Sequence, residues 1–166
     1  MEYHARKVVF LDIDGVVNTL QLDENLEPKY YTEHDGKVGN EQAIRWLNKL
    51  CKEEQAHIVI SSTWKHGGIG VCRKCLYNSG LDPDIRIIDL TPTKWNKERG
   101  YEIKLWLKSH PEVEQFVILD DDSDMYPYMD RLVKCDSSKG FLGEEYLTAK
   151  AIFESQNPLL NDDLEG

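Results

Sequence analysis

The chain has 166 residues, of which 40% are hydrophobic and 30% are charged. This balance is typical of a folded globular domain and excludes an intrinsically disordered chain. Lys and Arg number 20 and Asp and Glu number 30, so the net charge is −10, which opposes an extended surface for duplex nucleic acid. No stretch has the apolar length of a membrane span, and the N-terminal MEYHARK lacks a signal-peptide core. We therefore expect a cytoplasmic protein with no membrane partner.

Short apolar runs alternate with helical patterns along the chain. The helices are predicted after the N-cap residue Asn40, over 99–110 and over Gly143–Ser155. Strands that alternate with helices indicate an α/β fold with a parallel sheet of about five strands, covered on both faces. The predicted strands are Val8–Asp12, Ile58–Ser61, Ile85–Ile88, Phe116–Asp120 and Leu132–Cys135.

Two segments interrupt this alternation without being long enough to form a second domain. Residues 19–39 are polar, and we expect them to form a mobile flap beside the first strand. Residues 64–84 contain a glycine-rich turn and a short helix. The sequence therefore predicts a single domain over 1–155, followed by a flexible tail over 156–166.

The cysteine pattern does not favour a metal site. Cys72 and Cys75 form a single CxxC pair, and only His66 is close to it in sequence. A structural zinc site normally needs a second pair of ligands, so no zinc is expected. Without a secretory signal, the four cysteines are expected to be thiols.

Polar and charged residues follow the predicted strands at the point where each strand ends. In parallel α/β sheets, ligands bind outside this carboxyl edge. A set of carboxylates, hydroxyls and cations is therefore expected to meet there. Its members are Asp12 and Asp14 after the first strand, Ser61, Ser62 and Thr63 after the second, Asp120, Asp121, Asp122 and Asp124 after the fourth, and Lys94, Lys97 and Arg99 before a helix.

Carboxylates packed this closely raise one another's pKa unless a cation lies between them. Oxygen ligands of this kind suit Mg²⁺, which takes one or two carboxylates and shares its remaining positions with water and a substrate phosphate. The strand-end aspartates therefore predict a Mg²⁺ site.

Four motifs in order along the chain, FLDIDGVVN, VISS, KERG and VILDDDSD, resemble those of the haloacid dehalogenase (HAD) superfamily of phosphatases. The segments SSTW, RGYEIKLWL and GFL further resemble the HAD domain of Swiss Army Knife RNA repair proteins, and the chain is also similar to the phosphatase half of phage polynucleotide kinase. The resemblance covers nearly the whole chain. It implies a Rossmann-like three-layer sandwich with no domain-sized cap, and a HAD-type phosphatase (a phosphoric monoester hydrolase).

The resemblance also implies a role for each motif residue. Asp12 is the nucleophile that forms an aspartyl-phosphate, and Asp14 is the general acid and then the general base. Ser61 hydrogen-bonds a phosphoryl oxygen. Mg²⁺ is bound by Asp12, the backbone carbonyl of Asp14 and an aspartate of the fourth motif, for which Asp121 is favoured and Asp120 is second.

In the third motif, the family usually has Lys, whereas Arg99 is the best-aligned residue here. Arg carries the same charge in a bidentate fork. Lys97 is the alternative for this position, and Lys94 is a poorer one. The positive residue compensates charge on the nucleophile and on the phosphoryl group.

The resemblance favours a phosphorylated substrate, in particular a nucleotide or the terminal phosphate of a nucleic acid. Ser62, Lys65 and Lys97 are candidate substrate-binding residues, and Trp64 is a candidate either for base stacking or for packing. A phosphatase of a small metabolite or phosphoprotein stays open as an alternative. A non-catalytic phosphoacceptor or phosphate-binding domain is a second one, although a receiver domain would have an acidic pair ending its first strand rather than DxD.

Overall fold

The computed structural model describes residues 5–21 and 25–157. Within these residues, five strands form one parallel sheet in the order β3-β2-β1-β4-β5. The α/β fold with a five-stranded parallel sheet is confirmed. The strands are β1 (Lys7–Leu11), β2 (His57–Ile60), β3 (Ile87–Leu90), β4 (Gln115–Asp120) and β5 (Leu132–Lys134).

The sheet order places β1 at the centre, between β2 and β4. Leu11 at the end of β1 pairs with Ile60 of β2 and with Leu119 of β4. The chain builds one half of the sheet from β1 to β3 and then returns to add β4 on the other side. Ligands of open α/β sheets bind at such a reversal of strand order. The residues that follow β1 therefore lie at the expected ligand crevice.

Helices cover both faces of the sheet, as expected for a three-layer sandwich. The helices of the described residues are α1 (Glu41–Glu54), α2 (Ile69–Asn78), α3 (Arg99–Lys108) and α4 (Gly143–Ser155). The predicted start of α1 is confirmed, since the Asn40 side chain accepts a hydrogen bond from Ala43 N. α1, α2 and α4 pack against one face of the sheet, and α3 packs against the other.

The apolar run of β1 is explained by burial on both faces. Val9 and Leu11 pack in the cluster that contains α1, α2 and α4, whereas Val8 and Phe10 pack in the cluster that contains α3. The Phe10 ring contacts Trp106 of α3 edge to face, with ring centroids 5.4 Å apart. A central parallel strand therefore carries apolar residues continuously instead of alternating.

The predicted bounds of the third strand are wrong by two residues. The strand was expected over Ile85–Ile88, but it runs over Ile87–Leu90. Ile85 N donates to Asp82 O in a turn, so Ile85 precedes the ladder. Asp89 lies inside the strand because its carboxylate accepts a hydrogen bond of 2.8 Å from the indole of Trp106. No end of the other four strands differs from the prediction by more than one residue, which is within the usual uncertainty of assignment.

The segment between β1 and α1 contains a short 3-10 turn, Glu33–Asp35, and an isolated antiparallel bridge between Gln21 and Lys29. The described part of this segment, 12–21 and 25–40, is too small for a cap domain. The predicted mobility of residues 19–39 stays a prediction, and residues 22–24 lie outside the described residues.

The predicted division into a domain over 1–155 and a tail over 156–166 stays a prediction, and most of that tail lies outside the described residues. Its first residue, Gln156, hydrogen-bonds both the N–H and the C=O of Phe116 in β4. None of the helices in the described ranges is long and apolar enough to cross a membrane.

Candidate active site

Carboxylates from two neighbouring strands meet at the carboxyl edge of the sheet. Asp12 follows β1, Asp120 ends β4, and Asp121 is the next residue. Each of these three aspartates has one carboxylate oxygen that lies within 4.8 Å of a carboxylate oxygen of the other two. Asp12 is 4% exposed and Asp120 is fully buried. The convergence expected from the strand ends is therefore present in the structure.

Arg99, the first residue of α3, lies against this carboxylate cluster. Its Nη1 atom is 2.7 Å from Asp120 Oδ2 and 3.4 Å from Asp12 Oδ1. The backbone N–H of Arg99 donates to Asp124 Oδ2 at 3.2 Å, which fixes the start of the helix beside the fourth-motif loop. The guanidinium is thus held where it contacts both strand-end aspartates.

Backbone N–H groups orient the two buried carboxylates. Asp12 Oδ1 accepts a hydrogen bond of 2.9 Å from Ile13 N, and Asp120 Oδ1 accepts one of 3.0 Å from Asp122 N. Both oxygens of Asp120 therefore have partners, one in Asp122 and one in Arg99. Asp121 instead accepts a hydrogen bond of 2.9 Å on Oδ2 from the hydroxyl of Ser137.

Burial dominates the electrostatics of the cluster. It raises the pKa of Asp12 to about 9, with Asp120 adding to the rise and Arg99 opposing it. Burial likewise raises the pKa of Asp120 to about 6 against the influence of Arg99. Burial alone would lower the pKa of Arg99, but Asp12 and Asp120 together raise it, so the guanidinium stays charged. One positive charge does not compensate three carboxylates, so the cluster favours a further cation.

The donor set fits Mg²⁺. Its potential ligands are carboxylate oxygens, which this hard cation prefers. Gly15 leaves room for one of them: it has a φ of +86°, and a Cβ atom on it would lie 2.3 Å from Asp121 Oδ2. Only glycine therefore lets Asp121 approach the loop that carries Asp14.

The raised pKa values predict a specific pH dependence of stability without metal. An ordinary aspartate pKa is about 3.8. The folded state therefore binds a proton that the unfolded state has released, on Asp12 between about pH 4 and pH 9 and on Asp120 between about pH 4 and pH 6. This contribution is fully present below pH 4 and is lost as pH rises through the folded pKa values. Thermal unfolding in EDTA should therefore show a stability that falls from about pH 5 to pH 9.

Added Mg²⁺ should restore stability most strongly at the alkaline end of this range, because the metal binds the ionised carboxylates. Asp12→Asn should reduce the dependence on pH and on Mg²⁺. Asp130→Asn, which changes an exposed carboxylate paired with Arg131, is the matched control and should leave both unchanged. A metal-free stability that rises over this range would contradict the assigned burial effects.

Asp14 lies beside the cluster, and one of its oxygens is held by two donors. Asn18 Nδ2 donates to Asp14 Oδ1 at 2.7 Å, and Trp64 Nε1 donates to the same oxygen at 3.0 Å. Burial raises the pKa of Asp14, and the hydrogen bonds from Asn18 and Trp64 oppose this rise. With Oδ1 occupied by donors, a proton on Asp14 belongs on the other oxygen, Oδ2.

Asp14 also lines a cavity of about 400 Å³, which is within the size range of small-molecule sites. Tyr30 and Tyr31 of the 19–39 segment and Trp64 are among its lining residues. The side chain of Asn18 hydrogen-bonds the backbone N–H and C=O of Tyr31, so this residue positions both Asp14 and the cavity wall. Its other lining residues are Thr32, Glu33, His34 and Thr63.

The two serines after β2 have different surroundings. Ser61 is 1% exposed, and its hydroxyl has no hydrogen-bond partner among the described residues. A buried hydroxyl without a partner is costly, so a ligand oxygen would satisfy it. The hydroxyl oxygen of Ser62 instead accepts a hydrogen bond of 3.2 Å from Trp64 N and caps the following 3-10 turn.

Lys65 and Lys97 do not reach the carboxylate cluster in this structure. Lys65 Nζ is 2.9 Å from Glu102 Oε1 and also donates to Thr91 Oγ1, and its side chain is 7% exposed. Lys97 Nζ lies 5.6 Å from the centre of the Tyr101 ring. The substrate-binding roles of Ser62, Lys65 and Lys97 stay predictions.

Sequence reasoning missed the contact between Trp64 and Asp14. Trp64 was a candidate for base stacking or packing, but its indole N–H is the group that reaches Asp14. The only signal was its position three residues after Ser61, at the same edge of the sheet. Ser137, which orients Asp121, had no signal at all because it lies beyond β5 in a loop.

The contacts of the third-motif cations predict unequal effects of mutation. Arg99→Ala should lower kcat/KM roughly 100- to 1,000-fold, because it leaves Asp12 and Asp120 without their positive partner. Arg99→Lys should retain appreciable activity, since it keeps the charge. Lys97→Ala is the matched control and should change the hydrolysis of p-nitrophenyl phosphate by less than about threefold. A larger loss in Lys97→Ala than in Arg99→Ala would place the third motif on Lys97.

The parallel sheet, the acidic strand ends and the cation at a helix start define an α/β protein with an acidic site at the carboxyl edge of its sheet. The family model described as "HAD domain in Swiss Army Knife RNA repair proteins" matches residues 8–146. The chain belongs to this family, which confirms the resemblance seen in the motifs. No curated protein matches the chain. Membership supports phosphohydrolase chemistry on a phosphorylated substrate in general, and HAD proteins generally use Mg²⁺.

Proposed function

We propose that this protein is a Mg²⁺-dependent phosphohydrolase that acts through an aspartyl-phosphate on Asp12, with the terminal phosphate of a nucleotide or nucleic acid as its substrate. The observation that carries the proposal is the contact of Arg99 with both Asp12 and Asp120 beside a cluster of oxygens that suits a divalent cation. An ion pair with a purely structural role would not explain the other features of this edge of the sheet. These are a second acidic strand end, a buried hydroxyl without a partner among the described residues, and a cavity.

In the proposed first step, an Asp12 carboxylate oxygen attacks phosphorus and the bond from phosphorus to the ester oxygen breaks. Asp14 donates a proton from Oδ2 to that leaving oxygen, while Asn18 and Trp64 hold its Oδ1. The hydroxyl of Ser61 and the guanidinium of Arg99 stabilise charge on the phosphoryl oxygens.

In the second step, Asp14 is the base. It takes a proton from water, the water oxygen attacks phosphorus, and the bond between phosphorus and Asp12 breaks to release inorganic phosphate. The same carboxyl group thus returns to its starting protonation state, and Asp12 is regenerated as a carboxylate.

Asp12, the backbone carbonyl of Asp14 and Asp121 would hold Mg²⁺, with Asp120 adjacent and engaged by Arg99. When bound, the ion supplies positive charge that keeps Asp12 ionised and neutralises the phosphoryl oxygens. Asp121 is preferred over Asp120 as the ligand because both oxygens of Asp120 already have partners.

Two observations support a nucleotide or nucleic-acid end as the substrate. The cavity beside Asp14 has the volume for a nucleoside, and Tyr30, Tyr31 and Trp64 are among its lining residues. The matching family is described from RNA repair proteins.

The four cysteines, all in the described part of the chain, are free and buried, which is typical of proteins in a reducing compartment and supports a cytoplasmic location.

The proposal is tested by measuring hydrolysis of p-nitrophenyl phosphate with Mg²⁺ and with EDTA. We expect turnover that depends on Mg²⁺. A panel of nucleotides, 3′- and 5′-phosphorylated oligonucleotides, sugar phosphates and phosphopeptides then ranks substrates by kcat/KM. A preference for sugar phosphates or phosphopeptides would reassign the substrate, and no turnover of any phosphomonoester would leave a phosphate-binding or phosphoacceptor domain.

The cavity predicts that Tyr30 and Tyr31 select the substrate. Replacing both with Ala should spare hydrolysis of p-nitrophenyl phosphate, because the catalytic groups lie on the sheet. It should raise KM roughly tenfold for the best nucleotide or oligonucleotide, because aromatic faces are lost from the cavity wall. Replacing both with Phe is the control and should largely preserve KM. Equal effects of the Ala substitutions on both substrates would show that these residues do not select.

A further inference from the structure

An exposed pair of aromatic rings lies outside the groups used by the proposed chemistry. The rings of His66 and Trp95 are parallel within 6°, with centroids 5.7 Å apart. Trp95 is 78% exposed, the highest fraction among the exposed large hydrophobic residues of the described chain, and His66 is also exposed. An indole that is left largely in water and stacked on only one of its two faces offers its second face to a ligand. We refer to this pair as the His66–Trp95 platform.

Short and well-anchored segments connect the platform to the candidate active site. His66 is two residues after Trp64, which donates to Asp14, and Trp95 is four residues before Arg99, which contacts Asp12. At 3.8 Å between successive Cα atoms, these separations are at most about 8 Å and 15 Å. The backbone of each platform residue is therefore at most about 15 Å from the backbone of a residue whose side chain reaches the candidate active site.

The loop that carries Trp95 is held in place. Glu102 Oε2 accepts a hydrogen bond of 2.7 Å from N of Lys94, the residue before Trp95. Glu102 Oε1 binds Nζ of Lys65, the residue before His66. Lys97 N donates to Lys94 O and closes a turn around Trp95. A single buried carboxylate thus links both sides of the platform, so the two rings are positioned together.

The charges beside the platform differ in sign from those of the whole chain. Apart from Arg99, which is paired with Asp12 and Asp120, and Glu102, which is paired with Lys65, residues 94–104 contain Lys94, Lys97 and Lys104 against Glu98. The protein as a whole has a net charge of −10. Lys97 also covers one face of the Tyr101 ring, which is 38% exposed. Exposed aromatic faces and lysines in alternation are the arrangement that binds single-stranded nucleic acid.

We propose that the His66–Trp95 platform stacks an unpaired base of a single-stranded nucleic acid whose terminal phosphate lies at Asp12, and that Lys97 contacts the backbone of that strand. This inference rests on the proposed function and specifies its substrate: a strand of several nucleotides rather than a mononucleotide. Stacking on an aromatic face accepts every base, so the platform would select for single strands without selecting for sequence. It would also give Lys97 a binding role without contact with the carboxylates.

The test compares Trp95→Ala and Trp95→Phe with the native protein on p-nitrophenyl phosphate, a phosphorylated mononucleotide and a phosphorylated tetranucleotide. Trp95→Ala should raise KM for the tetranucleotide roughly 5- to 150-fold, the range that follows from loss of one stacked base. It should leave the other two substrates within about twofold, and Trp95→Phe should recover most of the loss. Leu147→Ala, which removes an exposed apolar side chain from α4, is the control and should change nothing.

A tetranucleotide with one abasic position identifies the stacked base. At one position near the phosphate, loss of the base should raise KM for the native protein but have little further effect in Trp95→Ala. Equal KM values for the tetranucleotide in the native protein and Trp95→Ala would overturn the platform while leaving the phosphohydrolase intact.

Binding of a fluorescent single-stranded oligonucleotide to the Asp12→Asn variant gives a readout that does not depend on turnover. We expect binding that weakens when Trp95→Ala is added. If p-nitrophenyl phosphate is hydrolysed but the oligonucleotide neither binds nor turns over, the inference is overturned and the proposed substrate fails with it. Preference for a phosphopeptide over the oligonucleotide would likewise overturn both the inference and the proposed substrate.

Discussion

Asp12→Asn is expected to abolish hydrolysis of phosphomonoesters, with kcat reduced roughly 10⁴- to 10⁶-fold, as for loss of a nucleophile. The substitution keeps the shape of the side chain and can keep the hydrogen bond from Ile13 N. It removes the attacking carboxylate and one charge from the cluster. Steady-state kinetics with p-nitrophenyl phosphate and saturating Mg²⁺ measure the effect.

The variant should stay folded, because Asp12 is a buried carboxyl whose burial disfavours its charged form. In EDTA at about pH 8, its thermal stability should equal or exceed that of the native protein. Asp130→Asn, at an exposed site, controls for the loss of an aspartate in general. Unchanged turnover in a folded Asp12→Asn variant would place the nucleophile elsewhere.

Asp14→Asn is expected to lower kcat roughly 100- to 10,000-fold, the range for loss of a general acid–base group. The loss of rate should differ between the two steps of the reaction. p-Nitrophenolate leaves without needing a proton, so transfer of the phosphoryl group to Asp12 should continue, whereas activation of water should fail. Rapid mixing should therefore show a burst of about one p-nitrophenolate per protein molecule, followed by slow turnover.

The same variant separates the proton-transfer role of Asp14 from metal binding. Its backbone carbonyl is unchanged, so Mg²⁺ affinity measured by calorimetry should fall less than in Asp121→Asn, which loses a direct carboxylate ligand. The opposite order of affinities would contradict this division of roles. A variant without a burst would show that its loss of activity lies in the first step, contrary to the expected failure of the second.

The sheet could be predicted because its strands are buried on both faces. Val8 to Leu11 form an uninterrupted apolar run, and all four residues are fully buried. The third strand could not be placed correctly, since Ile85 is apolar but packs in a turn, whereas Asp89 is charged but lies in the strand against Trp106. Its position depends on a tertiary hydrogen bond that a local pattern does not contain.

The carboxylates of the candidate site could be predicted because strand ends of a parallel sheet share an edge. The different surroundings of Asp120 and Asp121 could not be predicted, because they depend on which of the two Arg99 and Ser137 reach. Lys65 illustrates the same limit. It follows the second motif directly, yet its charge is bound to Glu102, 37 residues further along the chain.

Acid-quenched single-turnover reactions of the Asp14→Asn variant with p-nitrophenyl phosphate, followed by peptide mapping, test the aspartyl-phosphate on Asp12 most directly. We expect a phosphoryl group on the side chain of Asp12, formed in the presence of Mg²⁺, in proportion to the p-nitrophenolate burst and absent when Asp12→Asn is added. A phosphoryl group on another residue, or a burst of p-nitrophenolate with free phosphate and no modified peptide, would contradict the proposed mechanism.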